Sequence, residues 1–227
     1  MIYITGDTHR DFSRIENFCS KNHTTYDDIM IILGDNGINF YADFIDVFMK
    51  QRLSSIPITF FLLKGNHDMR PEKISSYHIT KYCGGQAYVE DKFPNLIFAK
   101  DGEVYNFSGK TALVIGGAYS IDKDLRLSHG WQWFADEQPT PEIKSSVERL
   151  VTHRNHFNFI LTHTCPLSFV LTNAIVERLY PNSDTGTEEW LDKIREQITY
   201  DRWYCGHWHK DKDCGNVRFM YNDIIKL

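Results

Sequence analysis

Residues 1–9 read MIYITGDTH, a short run of β-branched and aromatic residues that stops at a glycine and is followed by Asp7 and His9. The same order recurs at 29–36, IMIILGDN, and at 58–68, ITFFLLKGNHD. Each run has the length of a buried strand, and a glycine lets the backbone turn sharply where the strand ends. In an open α/β sheet, functional sites gather outside the carboxyl ends of the strands. The pattern therefore predicts that polar residues from distant parts of the sequence meet at one edge of a sheet.

Apolar residues recur at helical spacing between these three runs. One predicted helix face comprises Phe12, Ile15, Phe18 and Cys19, and a second comprises Phe40, Phe44, Val47 and Phe48. Strand and helix thus alternate as βαβαβ in the first third of the chain. This alternation predicts an α/β fold with a parallel sheet that helices cover.

The later part of the chain predicts more strands and two more helices. Strand patterns occur at 96–99, 103–107, 111–115, 157–161, 202–205 and 217–221. Turn residues at 101–102 and 108–110 separate the first three of these, which predicts a second, more antiparallel sheet beginning near Asn95. Helical patterns cover Glu142 to His153 and Thr187 to Ile198.

Length, charge and cysteine usage set the broad class of the protein. The 227 residues carry a formal net charge of -5, so the whole molecule has no strong nucleic-acid-binding signature and no attraction to an anionic membrane. Residues 1–227 are predicted to form a single domain. Five cysteines form no C-x-x-C pair, which favours a reducing, cytoplasmic location. We expect no signal peptide, and no apolar run of the sequence is long enough to cross a bilayer.

Two more strand patterns end in histidines, one at His163 and the other at His207 and His209. With the earlier polar residues they supply carboxylate, amide and imidazole ligands, which suit divalent metals such as Mn, Fe and Zn. No cysteine cluster indicates a structural zinc site. The candidate ligands are Asp7, His9, Asp35, Asn66, His163, His207 and His209. Seven ligands are too many for one tetrahedral ion, but they suffice for two metals that share a bridging ligand.

The five strand-end motifs occur in a recognisable order: Asp7-x-His9, Gly34-Asp35, Gly65-Asn66-His67-Asp68, a lone His163, and Gly206-His207-x-His209. Together they resemble the signature of the calcineurin-like metallophosphoesterase superfamily, in particular its prokaryotic or phage-type members. The resemblance covers nearly the whole chain. It implies a four-layer α/β/β/α sandwich of two central mixed sheets flanked by helices. It further implies that one metal is bound by Asp7, His9 and His209, that the other is bound by Asn66, His163 and His207, and that both share Asp35.

The resemblance also implies the reaction. Two divalent cations, with Mn the first choice and Fe or Zn as alternatives, lower the pKa of a bound water, and the resulting hydroxide attacks phosphorus in line. His67 has no metal to bind and is predicted to protonate the leaving group as a general acid. Asp68 is predicted to orient His67. A phosphorylated substrate is the expected partner.

One motif departs from the pattern of the protein phosphatases in this superfamily. Those enzymes extend the second motif to G-D-x-x-D-R-G, whereas here Gly34-Asp35 is followed by Asn36, Gly37, Ile38 and Asn39. The arginine that would bind phosphate is absent, so other residues must replace it. The candidates are Arg126 and His129, both in the predicted substrate-side loop 118–134, together with Arg10 and Asn66. The aromatic residues of the same loop, Trp131, Trp133 and Phe134, are expected to pack rather than to line the cleft.

Three functions fit these motifs. Phosphomonoesters, including phosphoproteins and nucleotides, are slightly favoured as substrates because His67 can protonate a poor leaving group. A phosphodiesterase that acts on cyclic or small nucleotide diesters would use the same ligands. A non-catalytic binding scaffold is the alternative from another class, since the retromer subunit of the superfamily has this fold without its catalysis. The complete ligand set and the presence of His67 argue against the scaffold.

Overall fold

The structure, a computed structural model, describes residues 1–170 and 183–227. Its strands, numbered in chain order, are β1 (Ile2–Thr5), β2 (Ile29–Ile32), β3 (Thr59–Leu62), β4 (Tyr77–Tyr82), β5 (Gly85–Glu90), β6 (Leu96–Ala99), β7 (Val104–Phe107), β8 (Lys110–Ile115), β9 (His156–Thr162), β10 (Thr199–Cys205), β11 (Lys212–Cys214), β12 (Val217–Phe219) and β13 (Ile225–Lys226). The described α-helices are α1 (Ser13–Asn22), α2 (Phe44–Ser54), α3 (Lys123–Ser128), α4 (Pro141–His153) and α5 (Gly186–Arg195). None of the described helices is long and apolar enough to cross a membrane.

The strands form two mixed sheets. The first has the order β13-β1-β2-β3-β6-β5-β4, and the second has the order β11-β12-β10-β9-β8-β7. In the first sheet β1, β2, β3 and β6 run parallel, which confirms the βαβαβ prediction for the first third of the chain. In the second sheet β8, β9, β10 and β12 run parallel, and only the edge strands β7 and β11 pair antiparallel. The prediction of a more antiparallel second sheet was therefore wrong, and β6 belongs to the first sheet.

Side-chain alternation along the strands explains the layers. In the first sheet Ile4, Ile31 and Phe61 lie in register and point into the core between the two sheets. Their neighbours Met30 and Phe60 point the other way, into the core under α1 and α2. The second sheet repeats this arrangement, with one row of side chains facing the first sheet and the other packing on α4 and α5. The result is the four-layer sandwich of two mixed sheets flanked by helices.

A hairpin of β4 and β5 extends the first sheet beyond the predicted strands. Its two-residue turn consists of Cys83 and Gly84, with φ angles of 48° and 86°. Two positive φ angles are typical of the type I′ turn that suits a tight hairpin. The first of these positions usually holds Asn, Asp or Gly, and the cysteine there left the hairpin without its usual sequence signal.

Helix α2 differs from the predicted helix in its orientation. It begins after Asp43, whose side chain accepts a hydrogen bond from the backbone N–H of Ile45, so Phe40 lies outside the helix. The buried residues of α2 are Asp46, Met49, Lys50 and Leu53, whereas the exposed large apolar ones are Phe44, Val47 and Phe48. The predicted apolar face is therefore the face that points away from the core.

Candidate metal centre

All seven predicted ligands lie beyond the carboxyl ends of five strands, β1, β2, β3, β9 and β10. One group contains Asp7, His9 and His209. The Nε2 atoms of His9 and His209 are 2.9 Å apart, and Nε2 of His209 is 3.2 Å from Oδ2 of Asp7. Nε2 of His9 is 3.8 Å from the same oxygen. These donor atoms all lie within 4.8 Å of one another, which is the spacing of ligands around a single cation.

A second group contains Asn66, His163 and His207. Oδ1 of Asn66 lies 2.8 Å from Nε2 of His163 and 3.2 Å from Nδ1 of His207. The proton of His163 is on the other ring nitrogen, because Nδ1 donates a hydrogen bond of 2.7 Å to the backbone oxygen of Leu33. The lone pair on Nε2 of His163 therefore faces a carbonyl lone pair at short range. A cation beside these atoms would turn the repulsion into coordination.

Asp35 lies between the two groups. Its Oδ2 atom is 3.8 Å from Nε2 of His9 and 3.6 Å from Nε2 of His163. The other carboxylate oxygen, Oδ1, accepts a hydrogen bond of 2.9 Å from the backbone N–H of His67. Asp35 thus presents one oxygen to both groups and has the other fixed by the backbone.

The charges at the centre also fit divalent cations. Asp7 and Asp35 are buried, and burial together with the carboxylates of Asp7 and Asp68 raises the pKa of Asp35 well above its ordinary value. Burial opposes ionisation of Asp7 as well, but the nearby His163 and His209 and the backbone N–H of His207 lower its pKa to about 2. Buried carboxylates are normally paired with a positive charge. Metal ions among these ligands would supply that charge.

Backbone strain concentrates at the ligands. His9, Asp35, His207 and His209 have φ angles of 45°, 47°, 64° and 47°, a left-handed region that few residues other than glycine adopt. Such strain persists only where the surrounding structure enforces it, and it clusters at functional sites.

Glycines make the close approach of these loops possible. A Cβ atom on Gly65 would lie 2.0 Å from Oδ1 of Asp35, and one on Gly206 would lie 2.3 Å from Oδ1 of Asp7. Gly65 and Gly206 therefore each make room for a ligand that another motif supplies.

Comparison with known proteins agrees with this geometry. The sequence profile of the family described as calcineurin-like phosphoesterase matches residues 1–211. The chain belongs to the calcineurin-like phosphoesterase family. No curated protein matches the chain. Among solved structures, the chain is similar to the crystal structure of TT1561 of Thermus thermophilus. The identity is 13%, the TM-score is 0.53, and the match covers 97% of this chain and 87% of the other. This likeness supports the fold.

A weaker likeness joins the chain to calcineurin-like phosphoesterase YfkN from Bacillus subtilis. That structure has 11% identity and a TM-score of 0.41, with coverage of 92% of this chain and 72% of the other. Membership in the family, rather than this likeness, establishes the chain as a metal-dependent phosphoesterase.

A buried hydrogen-bond chain in this phosphoesterase fixes the orientation of Asn66. Nδ2 of Asn66 donates to Oγ of Ser120 at 2.8 Å, and the Ser120 hydroxyl donates to Oε2 of Glu137 at 2.6 Å. Oε1 of Glu137 also accepts from the backbone N–H of Ser120 at 3.1 Å. An ionised carboxylate can only accept, so the hydroxyl must accept from Asn66, and Oδ1 of Asn66 is left facing the two histidines. The sequence placed Ser120 in the substrate-side loop, but nothing in it indicated this role or that of Glu137.

The structure shows no hydrogen bond between the carboxylate of Asp68 and the imidazole of His67. Its buried carboxylate accepts hydrogen bonds from the backbone N–H groups of Gly65, Asn36 and Gly37, at 2.9, 3.2 and 3.3 Å. Nδ2 of Asn36 also donates to it, at 3.1 Å, so the bonds of this carboxylate go to the backbone and Asn36 rather than to His67, contrary to the prediction that Asp68 orients His67. Asp68 joins the loop that carries Asp35 to the loop that carries Asn66.

A cavity of about 280 Å³ opens over the metal centre of the phosphoesterase. Its lining residues include His9, Asp35, His67, Arg10, Phe40 and Arg126. The guanidinium of Arg10 lies 4.9 Å from the ring centroid of Phe40 and 4.5 Å from that of Tyr41. Phe40 thus lines the cavity, whereas the spacing of apolar residues predicted only a place on a helix face for it.

The structure does not bring His129 to this cavity. The imidazole of His129 is exposed, its Nδ1 atom lies 2.9 Å from the backbone oxygen of Leu125, and its ring centroid lies 4.9 Å from that of Trp131. Trp131 is itself exposed, contrary to the expectation that it packs, whereas Phe134 is buried against Phe40 as expected. The hydrogen bond to Leu125 thus directs the His129 imidazole toward its own helix, away from a phosphate in the cavity.

Proposed function

We propose that the protein hydrolyses phosphate esters, with monoesters slightly preferred, and that His67 donates the proton to the leaving group. The observation that carries this proposal is the pairing of two ligand groups around Asp35, with His67 left outside both groups but inside the cavity. Two divalent cations, Mn being the first choice, would supply positive charge to the phosphoryl oxygens and activate water when bound. The residues that would hold them are the seven described above.

His67 is well placed to act on a leaving group. Its Nε2 atom is 3.2 Å from Nδ2 of Asn66 and 4.0 Å from Oδ2 of Asp35, and its ring lines the cavity. In the free protein, burial and then the guanidinium of Arg126 lower the pKa of His67 to about 3. A phosphate dianion in the cavity acts in the opposite direction, because a neighbouring negative charge favours the protonated imidazole. Substrate binding would therefore prepare the proton donor.

Arg10 is the better candidate for phosphate binding. Its guanidinium lines the cavity, stacks on two aromatic rings and, within the described residues, has no hydrogen-bonding or ion-pair partner. Arg126 also lines the cavity, but its Nε donates to Asp122 at 2.8 Å and its Nη1 donates to the backbone oxygen of Gln132. An unpaired guanidinium can offer two parallel hydrogen bonds to a phosphate without breaking an existing pair. We therefore assign the main phosphate contact to Arg10 and a secondary one to Arg126.

The test is a paired assay of p-nitrophenyl phosphate and bis-p-nitrophenyl phosphate with Mn, Fe, Zn, Ni and Mg. We expect hydrolysis of the monoester to be faster, with Mn as the best metal. Faster hydrolysis of the diester would replace the monoesterase with the phosphodiesterase. A protein that binds two metals but hydrolyses neither ester would contradict the proposal and favour a binding scaffold.

We also propose a reducing, cytoplasmic location. All five cysteines are free in the structure, and Cys165 and Cys205 are fully buried beside the strand ends that carry the ligands. Disulfides are rare in the reducing cytosol, and five free cysteines without a disulfide are consistent with that compartment.

A further inference from the structure

Exposed apolar side chains of this protein cluster in two short segments. Among the described residues, twelve large apolar side chains are exposed, and eight of them lie within 41–48 and 121–131. We call these eight the apolar rim: Tyr41, Phe44, Val47, Phe48, Ile121, Leu125, Leu127 and Trp131. Scattered exposed apolar residues are ordinary on a protein surface, but a cluster of this kind marks a binding surface.

The secondary structure of the rim supports the same interpretation. Helix α2 packs Met49 and Leu53 into the core, but it leaves Phe44 and Phe48 exposed on its opposite face, where a surface helix usually carries polar residues. Helix α3, which carries Leu125 and Leu127, buries none of its residues. Neither exposed face is explained by core packing, so an apolar ligand is the simplest reason for them.

Each segment of the rim contains or directly follows a residue that lines the cavity over the metal centre. Phe40 lines the cavity and directly precedes the first segment, and Arg126 lines it from within the second. Tyr41 packs on the guanidinium of Arg10, at 4.5 Å from its ring centroid. The base of the cavity is therefore cationic or metal-binding, and Tyr41 of the rim packs on one of its cationic side chains. This layout complements a molecule that has an anionic head and an apolar body.

We propose that the substrate is an amphiphilic phosphate ester whose apolar group lies against the apolar rim while its phosphate occupies the cavity. This inference rests on the proposed function. A single phosphate ester fits better than an anionic membrane surface, because the net charge of -5 opposes attraction to an extended surface, whereas Arg10 and Arg126 supply local positive charge inside the cavity. An amphiphilic phosphate ester also explains two features together, because the apolar rim would bind its apolar group and Arg10 would bind its phosphate.

The test compares two non-hydrolysable probes, ethylphosphonate and hexylphosphonate, by calorimetry on the Mn-loaded protein. Both carry the same anionic head, so the ratio of their Kd values isolates contact with the four additional methylene groups. We expect hexylphosphonate to bind at least about tenfold more tightly to the natural protein, because each buried methylene contributes roughly a factor of two to four in affinity. Phe44→Ser and Leu125→Ser should each reduce that ratio by at least about threefold.

Ile79→Ser is the matched control, because Ile79 is 55% exposed and lies outside the rim. Its ratio should equal that of the natural protein. Equal Kd values for the two probes in the natural protein, no detectable binding of either probe, or a high ratio that survives both rim substitutions would each overturn the inference. The parallel assay with p-nitrophenyl esters separates the two proposals: hydrolysis without a preference for hexylphosphonate contradicts the apolar rim alone, whereas absence of hydrolysis contradicts the phosphoesterase.

Discussion

At the metal centre, Asp7, Asp35 and His163 are buried and each is fixed by a backbone group. The N–H groups of His207 and His67 bind the two carboxylates, and the carbonyl of Leu33 binds the imidazole. The outer part of the cavity, which we call the cavity mouth, is formed by Arg10, Phe40 and Arg126 of α3. There, by contrast, the contacts of the Arg10 guanidinium with described residues are with aromatic rings, and α3 buries no side chain. The two regions lie next to each other but are built for different tasks. A reaction centre requires fixed atomic positions, whereas a substrate surface can vary in shape.

This comparison predicts that the largest losses of activity come from the metal centre. Asp35→Asn removes the shared carboxylate while it keeps the shape of the side chain. We expect kcat/KM for p-nitrophenyl phosphate to fall by at least about 1000-fold, because charge stabilisation at the reacting phosphate is lost with the metals. The measurement is steady-state kinetics together with metal content, which should fall below two ions per chain.

Asp91→Asn is the control for this substitution, because the side chain of Asp91 is 97% exposed. It should leave both metal content and kcat/KM unchanged. Two tightly bound ions in the Asp35→Asn protein would show that Asp35 is not the bridge.

His67→Ala is expected to have the next largest effect, and it tests whether a residue of the metal centre acts without binding metal. Loss of a general acid costs about 100-fold or more for a poor leaving group such as an alkyl alcohol, and much less for p-nitrophenolate. Metal content should remain at two ions per chain. Equal losses of metal and of turnover would instead make His67 a structural or ligating residue, and His129→Ala provides the control because that imidazole lies outside the cavity.

The sequence predicted the metal centre far better than the cavity mouth, for a physical reason. A loop that carries a ligand has a local sequence motif. It consists of an apolar strand, a glycine that makes room for a neighbouring ligand, as at Gly65, and a polar residue directly after the glycine. The parallel strands β1, β2 and β3 then bring the ligands of three such motifs close together. The motifs therefore predicted the seven candidate ligands at strand ends, although these strands belong to both sheets and not, as predicted, to one.

Contacts that depend on packing between distant parts of the chain have no such sequence motif. Asn66 forms a hydrogen bond with Ser120, which lies 54 residues away in the sequence, and Ser120 forms one with Glu137, which lies 17 residues away. No sequence motif links these residues. Likewise, the spacing of Phe44 and Phe48 fits a buried helix face and an exposed one equally well. The error at α2 arose because periodicity reports that a face is apolar but not what covers it.

Ser120→Ala tests whether the metal centre depends on the buried chain behind it. Without the hydroxyl, the amide of Asn66 can rotate and present its NH₂ group to the histidines. We expect affinity for one of the two metals to fall about tenfold, a typical effect for residues that orient a ligand, while the other metal binds normally. Calorimetric titration with Mn resolves the two sites. Ser120→Thr should retain the affinity because it restores the hydroxyl, and Ser128→Ala removes an exposed hydroxyl of α3 as a control.

Substitutions of the cavity arginines should produce the smallest effects and should act on binding rather than on turnover. Arg10→Ala removes an unpaired guanidinium, so we expect KM to rise about tenfold with a smaller change in kcat. Arg126→Ala should raise KM about threefold, because its guanidinium is already engaged with Asp122 and contributes less to the phosphate. An exposed arginine of α4, Arg149, serves as the control. An unchanged KM for Arg126→Ala would remove that residue from the site, and a larger effect for Arg126 than for Arg10 would mean that substrate breaks the ion pair with Asp122, so that the cavity mouth rearranges on binding while the metal centre does not.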